Sequence, residues 1–247
     1  MTLPLGTSIA ESANLEPVVH VHLGPPDSLV AAISDPTPAE PFLHEFEYVV
    51  IDVETTGSSV RAGDRVTEIA AICVDARGRI VEEMQTLVNP CRPIPQFITS
   101  ITNITDEMVR GAPRFEEIAP ELIRMLENRV FVAHNASFDF GFVGAELVFS
   151  TGYVLDARVL CTLRLARKVV PEVSRRSLDA LSYYFGIEND ARHRAYGDAL
   201  ATATLFAKLM ERLEEREVQN WSALEELLTK RKPRRKRQAN PQSMEWA

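Results

Sequence analysis

Residues 47–55 read EYVVIDVET, and two further runs follow closely, VTEIAAICVD at 66–75 and GRIVEEMQTLVNP at 78–90. The first run is β-branched and apolar enough to be a buried strand. The tight link ARGR, 76–79, joins the second run to the third. Three strands in quick succession predict an antiparallel meander. Asp52 and Glu54 interrupt the apolar run. Residues two apart in a strand point to the same side, so these two carboxylates are presented together. Adjacent carboxylates repel, and burying them unpaired is costly. A bound divalent cation would remove both penalties. Read alone, the D-x-E pair is a weak signal and fits two strand-end acids in solvent better than a metal site.

Downstream of the meander the apolar period changes from two to 3.6. Phe115, Ile118, Ala119, Leu122, Ile123 and Leu126 make one helical face. RVFVAHN (129–135) is a short strand, and FDFGFVGAELVF (138–149) a helix directly after it. YVLDA (153–157) reads as another strand, and ARVLCTLRLARKVV (157–170) as a helix ended by Pro171. Ser177 is placed to cap SLDALSYYF, with Gly186 as its stop signal. A long amphipathic helix is expected from about Ala195 to Glu217, with Leu205, Phe206, Leu209, Met210 and Leu213 on one side. A further helix covers about 219–229. Strands first, then strand–helix alternation, imply an α/β domain with a mixed sheet and helices packed on its faces.

Around this domain, 46–229, lie two segments of different character. Residues 1–45 hold seven of the fifteen prolines, carry acids and no Lys or Arg up to His44, and read as a flexible, Pro-rich acidic arm. Residues 230–247 form a basic C-terminal tail opening KRKPRRKR, with Glu245 as its one acid. The whole chain of 247 residues is at −8, so the body between the ends is acidic and a poor general magnet for polyanions. No run of eighteen apolar residues occurs, and no membrane partner is expected. The N-terminus lacks a basic n-region, which argues against a secretory signal. Cys73, Cys91 and Cys161 are odd in number and far apart, which fits a reducing cytoplasm rather than a disulfide framework or zinc cluster. The use of 22 Arg against 5 Lys suggests a GC-rich bacterial genome.

Two more segments stand out beside Asp52-Val53-Glu54-Thr55-Thr56-Gly57. His134-Asn135-Ala136-Ser137-Phe138-Asp139 sits where a strand gives way to a helix. Asp139 falls in the first helical turn, where it would also suit the helix dipole. His134 reads best as a side chain that fastens the strand end. His193-Arg194-Ala195-Tyr196-Gly197-Asp198 places a histidine in a loop and an acid near the start of the long helix. Taken singly, each residue has an ordinary structural explanation. Together, four acids and one histidine gather at three element ends, each beside an apolar element that would bring it to the sheet edge.

DVETTG, HNASFD and HRAYGD resemble the three motifs of the DnaQ-like, or DEDDh, 3′–5′ exonucleases, the family that includes the proofreading subunit of bacterial replicative polymerase. The resemblance spans about 46–215. It implies a ribonuclease-H-like fold, a five-stranded mixed sheet flanked by helices. It implies that Asp52, Glu54, Asp139 and Asp198 hold two divalent cations, Mg²⁺ or Mn²⁺, for which carboxylate oxygens are suited. It implies His193 as the general base that takes a proton from the attacking water. Imidazoles are largely neutral at pH 7–8, as that role needs. Thr55, Thr56 and Gly57 match positions near the terminal nucleotide, and Asn135 belongs to the same nucleic-acid-binding set. Thr102, within ITNIT at 101–105, corresponds to a residue near the 3′ terminus; Asn103 stands where the family usually has glycine.

The resulting expectation is a metal-dependent exonuclease that hydrolyses phosphodiester bonds from single-stranded or frayed 3′ ends of DNA, releases nucleoside 5′-monophosphates, and serves proofreading or repair. RNA 3′-trimming by the same site, or a polymerase-associated nucleic-acid-binding scaffold, are the alternatives. No polymerase motif occurs in the chain, so a polymerase subunit would be a partner in trans. The expected location is the bacterial cytoplasm, at the nucleoid when acting on DNA. The basic tail has two readings, phosphate contact or docking on an acidic partner.

Overall fold

The computed structural model describes residues 40–230. The proline-rich arm up to Ala39 and the basic tail beyond Lys230 lie outside the described residues. The strands are β1 (Tyr48–Thr55), β2 (Val66–Val74), β3 (Ile80–Leu87), β4 (Val130–Ala133) and β5 (Val159–Cys161). The α-helices are α1 (Gln96–Thr102), α2 (Asp106–Arg110), α3 (Phe115–Leu126), α4 (Ser137–Thr151), α5 (Thr162–Val169), α6 (Leu178–Phe185), α7 (Ala195–Glu214) and α8 (Trp221–Thr229).

One five-stranded sheet runs in the order β3-β2-β1-β4-β5. β1, β2 and β3 form the antiparallel meander expected from their spacing, and β4 and β5 add in parallel to β1. The sheet is therefore mixed, and the C-terminal ends of β1, β4 and β5 share one edge. β2 is buried along its whole length, Glu68 included, whereas β3 at the sheet's edge carries Glu82 and the exposed Glu83.

The alternation along β1 decides what lies on each face. Tyr48 and Val50 pack with β2 residues Ala70 and Ile72 against α5, α6, α7 and α8. Val49, Ile51 and Val53 pack on the other side, against α3 and α4. Asp52 and Glu54 follow the parity of Val50, so both carboxylates fall on the α7 side of the sheet. Ala195, Ala199 and Ala203 line the buried face of α7, and such small side chains let the helix lie close on β1 and β2.

Three details differ from the sequence reading. The short strand is Val159–Cys161 rather than YVLDA, and α5 begins at Thr162 rather than Ala157. Parallel pairing of Phe131–Ala133 with Val159–Cys161 claims those residues from the helix, while 153–157 finds no strand to pair with. The short helices α1 and α2 had no periodic signal of their own. Residues 40–45, expected to end the flexible arm, are packed on the domain. Leu43 is 3% exposed, its N–H donates to Gln219 O at 2.7 Å, and the Tyr48 hydroxyl donates to Leu43 O at 2.6 Å. Burial of a leucine side chain and two bonds to the domain hold that stretch in place.

Candidate active site

β1 delivers Asp52 and Glu54 to the sheet edge, where a bulge between Glu54 and Thr55 ends its regular pairing with β2. α4 starts just after β4, at the same edge, and its first turn carries Asp139. Asp139 is 3% exposed and its Oδ1 accepts the Val53 N–H at 3.2 Å, which ties the start of α4 to β1. α7 crosses the opposite face and carries Asp198 in its first turn. One ligand atom each from Glu54, His193 and Asp198 lie within 4.8 Å of one another. The three motifs, spread over the 146 residues from Asp52 to Asp198, thus meet at one place.

The loop before α7 is built to hold His193. The Asn189 Nδ2 donates to Asp198 Oδ1 at 2.6 Å, and the His193 N–H donates to Asp198 Oδ2 at 3.1 Å. His193 takes a left-handed backbone, φ 58°. Gly197 has no Cβ to obstruct this loop, since a Cβ there would lie 2.3 Å from Ala191 O.

Glu68 fastens α7 from β2. It pairs across the strands with Glu54, is 5% exposed, and accepts Arg194 Nη2 at 2.6 Å, Arg194 Nε at 3.0 Å and the Ala195 N–H at 3.0 Å. A carboxylate at a helix N-terminus satisfies an otherwise free N–H and suits the dipole. Neither Glu68, Arg194 nor Asn189 stood out in the sequence as part of the site. A lone acid inside the apolar run of β2 was the available signal for Glu68.

The electrostatics of the cluster are those of crowded acids. Burial raises the Asp52 carboxyl well above the usual range, and Asp139, Asp198, Glu54 and Glu68 add to the shift. Burial likewise pushes Glu54 up to about 7, with Asp198, Glu68 and Asp139 raising it further and Arg194 opposing. Asp139 rises to about 7 through burial, although backbone N–H groups donate to it. This donor set fits a hard divalent cation: it is rich in carboxylate oxygens, and positive charge would offset both the burial and the mutual repulsion that raise these carboxyls.

The other residues singled out in the sequence have specific places. His134 fastens the strand end, as expected. Its Nε2 donates to Arg176 O at 3.0 Å, leaving Nδ1 to accept the Thr162 hydroxyl at 2.9 Å, and burial lowers its pKa. The Thr55 hydroxyl donates to Gly57 O at 2.5 Å. Thr56 Oγ1 donates to Asp64 Oδ1 at 3.2 Å and accepts the Arg65 N–H at 3.1 Å. A Cβ on Gly57 would stand 2.3 Å from the Asp64 carboxylate, which would have to move off its bonds to Thr56 and Ser59, so packing in this loop favours glycine there. The Thr102 hydroxyl donates to Ile98 O and accepts the Ile104 N–H, both at 3.1 Å, while Asn103 ends α1 with φ 58°. Asparagine tolerates the left-handed conformation next best to glycine, which explains how it stands in for one. Asn135, φ 70°, lines a cleft with His134, Arg167 and Arg176.

Comparison with known proteins agrees with this architecture. Residues 49–206 match the family described as Exonuclease (RNase_T). The chain is 39% identical over 171 residues to the 3′-5′ exonuclease DinG of Bacillus subtilis, covering 69% of this chain and 18% of that protein. It is 37% identical over 187 residues to the PolC-type DNA polymerase III of Caldanaerobacter subterraneus, covering 76% of this chain and 13% of that protein. The chain therefore spans under a fifth of the length of these curated relatives. Among solved structures, exonuclease X in complex with 5′ overhanging duplex DNA superposes with a TM-score of 0.56 at 28% identity, covering 73% of this chain and 99% of that one. With the family match across most of the domain and a five-stranded mixed sheet of the ribonuclease-H-like kind, the chain belongs to the exonuclease family.

Proposed function

We propose that the chain is a metal-dependent 3′–5′ exonuclease of the DEDDh type that removes nucleoside 5′-monophosphates from single-stranded or frayed 3′ ends of DNA. The observation that carries this reading is the meeting of Glu54, His193 and Asp198 within 4.8 Å, on the sheet edge that also carries the half-buried Asp52 and the buried Asp139. Asp52, Glu54, Asp139 and Asp198 would hold two divalent cations, Mg²⁺ or Mn²⁺, which supply Lewis acidity toward a water and a phosphate oxygen. His193 is the base: its exposed imidazole stands beside Glu54 and Asp198, where it takes the proton of the attacking water. Asp198 orients that histidine by accepting its backbone N–H, and Asn189 steadies Asp198. Thr55, Thr56, Gly57, Thr102 and Asn135 would border the terminal nucleotide through backbone and side-chain contacts.

DNA is favoured over RNA because exonuclease X, similar along nearly its entire length, is described with duplex DNA, and because the PolC-type relatives are DNA polymerases. The second of these likenesses also supports proofreading or repair, with a DNA polymerase subunit as partner in trans. Among the described residues no helix is long and apolar enough to cross a membrane. Matched DNA and RNA strands incubated with Mg²⁺, with the products resolved by chromatography, test the substrate. Faster release of deoxynucleoside 5′-monophosphates is expected. Faster release from RNA would move the reading to RNA trimming, and two intact strands would leave only the scaffold reading.

A further inference from the structure

In an acidic chain most arginines beside the site are matched to acids: Arg65 to Glu146, Arg192 to Asp179, Arg194 to Glu68. One stretch departs from this. Residues 157–176 hold Arg158, Arg164, Arg167, Lys168, Arg175 and Arg176 against a single acid, Glu172. Glu172 accepts the Tyr184 hydroxyl at 2.7 Å. Among the described residues, Arg164, Arg167, Lys168, Arg175 and Arg176 make no ion pair.

The placement of α5 gives this charge a direction. β5 runs parallel to β4 and β1, so α5 starts at the sheet edge that carries Asp52 and leads away from it. Leu165, Ala166 and Val169 are buried, and Arg164, Arg167 and Lys168, three and four residues apart, form the outward stripe. At the site end, Thr162 bonds His134, and Arg167 lines the cleft shared with His134, Asn135 and Arg176. At the far end, the Lys168 ammonium donates to Lys230 O. The sequence after Lys230 reads RKPRRKR, so six more basic residues follow from that point. A row of unmatched cations that begins at the site and leads to the root of a basic segment suits a linear polyanion better than a compact acidic surface.

We propose that the outer stripe of α5, Arg164, Arg167 and Lys168, binds the phosphates of the strand whose 3′ end is being cut, several nucleotides behind that end. The proposal rests on the exonuclease reading for the direction of the strand, but binding can be measured without catalysis. The test is the anisotropy of a 5′-labelled dT20 titrated with full-length protein in EDTA over a range of salt. The wild type is compared with the triple variant Arg164→Ala, Arg167→Ala, Lys168→Ala, and with a control carrying Arg77→Ala, Arg79→Ala and Arg124→Ala on other surfaces. Each lost single-strand phosphate contact lowers the slope of log K against log salt by about 0.7. The α5 variant should therefore lose about 2 from the slope and bind roughly tenfold or more weakly at about 0.1 M salt, with the control near wild type. The single reversal Arg167→Glu should weaken binding in the same direction. An α5 variant with wild-type slope and affinity, or a control that loses as much, overturns the proposal. So does an α5 variant that keeps its DNA affinity and loses only its affinity for polyglutamate, which would assign the stripe to an acidic protein. Nucleotide release by the wild type from the same dT20 in Mg²⁺ judges the exonuclease reading separately.

Discussion

Glu68 and Arg194, on β2 and at the threshold of α7, close a two-pronged ion pair with bonds of 2.6 and 3.0 Å, and the same Glu68 carboxylate caps the Ala195 N–H. Arg194 follows His193 directly, and Asp198 lies one helical turn beyond it. The pair therefore fixes both the histidine and the acid relative to β1. Glu68→Gln keeps an acceptor for Ala195 but removes the charge. It should lower kcat about 10- to 100-fold while costing roughly 1–3 kcal/mol of stability, because Arg194 remains partly solvated. Arg194→Lys should lose nearly as much activity, since an ammonium cannot reproduce the fork. Steady-state kinetics beside thermal melts check both; equal kcat for Glu68→Gln and wild type would remove Glu68 from any positioning role.

The crowded carboxyls predict an unusual pH profile for the metal-free protein. Burial raises Glu54 and Asp139 to about 7 in the folded state, from ordinary carboxyl values of 4.5 and 3.8. The folded chain thus binds more protons than the unfolded one between about pH 4 and 7, and stability must fall as pH rises through that window. The loss should be on the order of 3 kcal/mol after allowing for the coupling between these acids. Mn²⁺ needs the deprotonated ligands, so it should raise the melting temperature much more at pH 8 than at pH 5.5. Melts in EDTA and in Mn²⁺ across pH 5–8 provide the check, and a metal-free protein that gains stability toward pH 8 would contradict the buried-acid picture.

Asp139→Asn separates stability from activity. The amide oxygen can still accept the Val53 N–H, while a buried charge is removed from beside Asp52. In EDTA at pH 8 the variant should be more stable by about 1–2 kcal/mol, a rise of several degrees in Tm for a domain of this size. Its activity should drop about 10³-fold or more, and calorimetric titration should find fewer bound Mn²⁺ than the two per chain expected of wild type.

His193→Asn tests the base. Asparagine tolerates the φ of 58° that His193 adopts, so the loop and the bond from residue 193 to Asp198 should survive. Loss of about 10²–10⁴ in kcat is expected, with Mn²⁺ binding largely kept. Near-normal kcat would rule out His193 as the base.

Much of this was legible in the sequence. Three strand-like runs with short links gave the meander, and the parity of Asp52 and Glu54 gave their common side, because strand periodicity is local. The helix α6 was bounded correctly by Ser177, whose hydroxyl accepts the Ala180 N–H, and by Gly186 at φ 66°. β5 was not legible, since Val159–Cys161 becomes a strand only through pairing with β4. The Glu68–Arg194 pair spans 126 residues, and no local pattern announces a partner at that distance. Leu43 was missed because one buried leucine in a proline-rich stretch carries no period. The meeting of the three motifs was legible only from the set, four acids and a histidine at three element ends, and from its resemblance to a family, as each motif alone has an ordinary explanation.

The most direct test of the account is a degradation time course on 5′-labelled single-stranded DNA, in Mg²⁺ and in EDTA, for wild type and for Asp52→Asn with Glu54→Gln. A ladder shortening by one nucleotide at a time from the 3′ end is expected, present only with Mg²⁺ and absent in the double variant. A ladder that persists in EDTA or in the folded double variant would contradict the assignment of these carboxylates to the reaction.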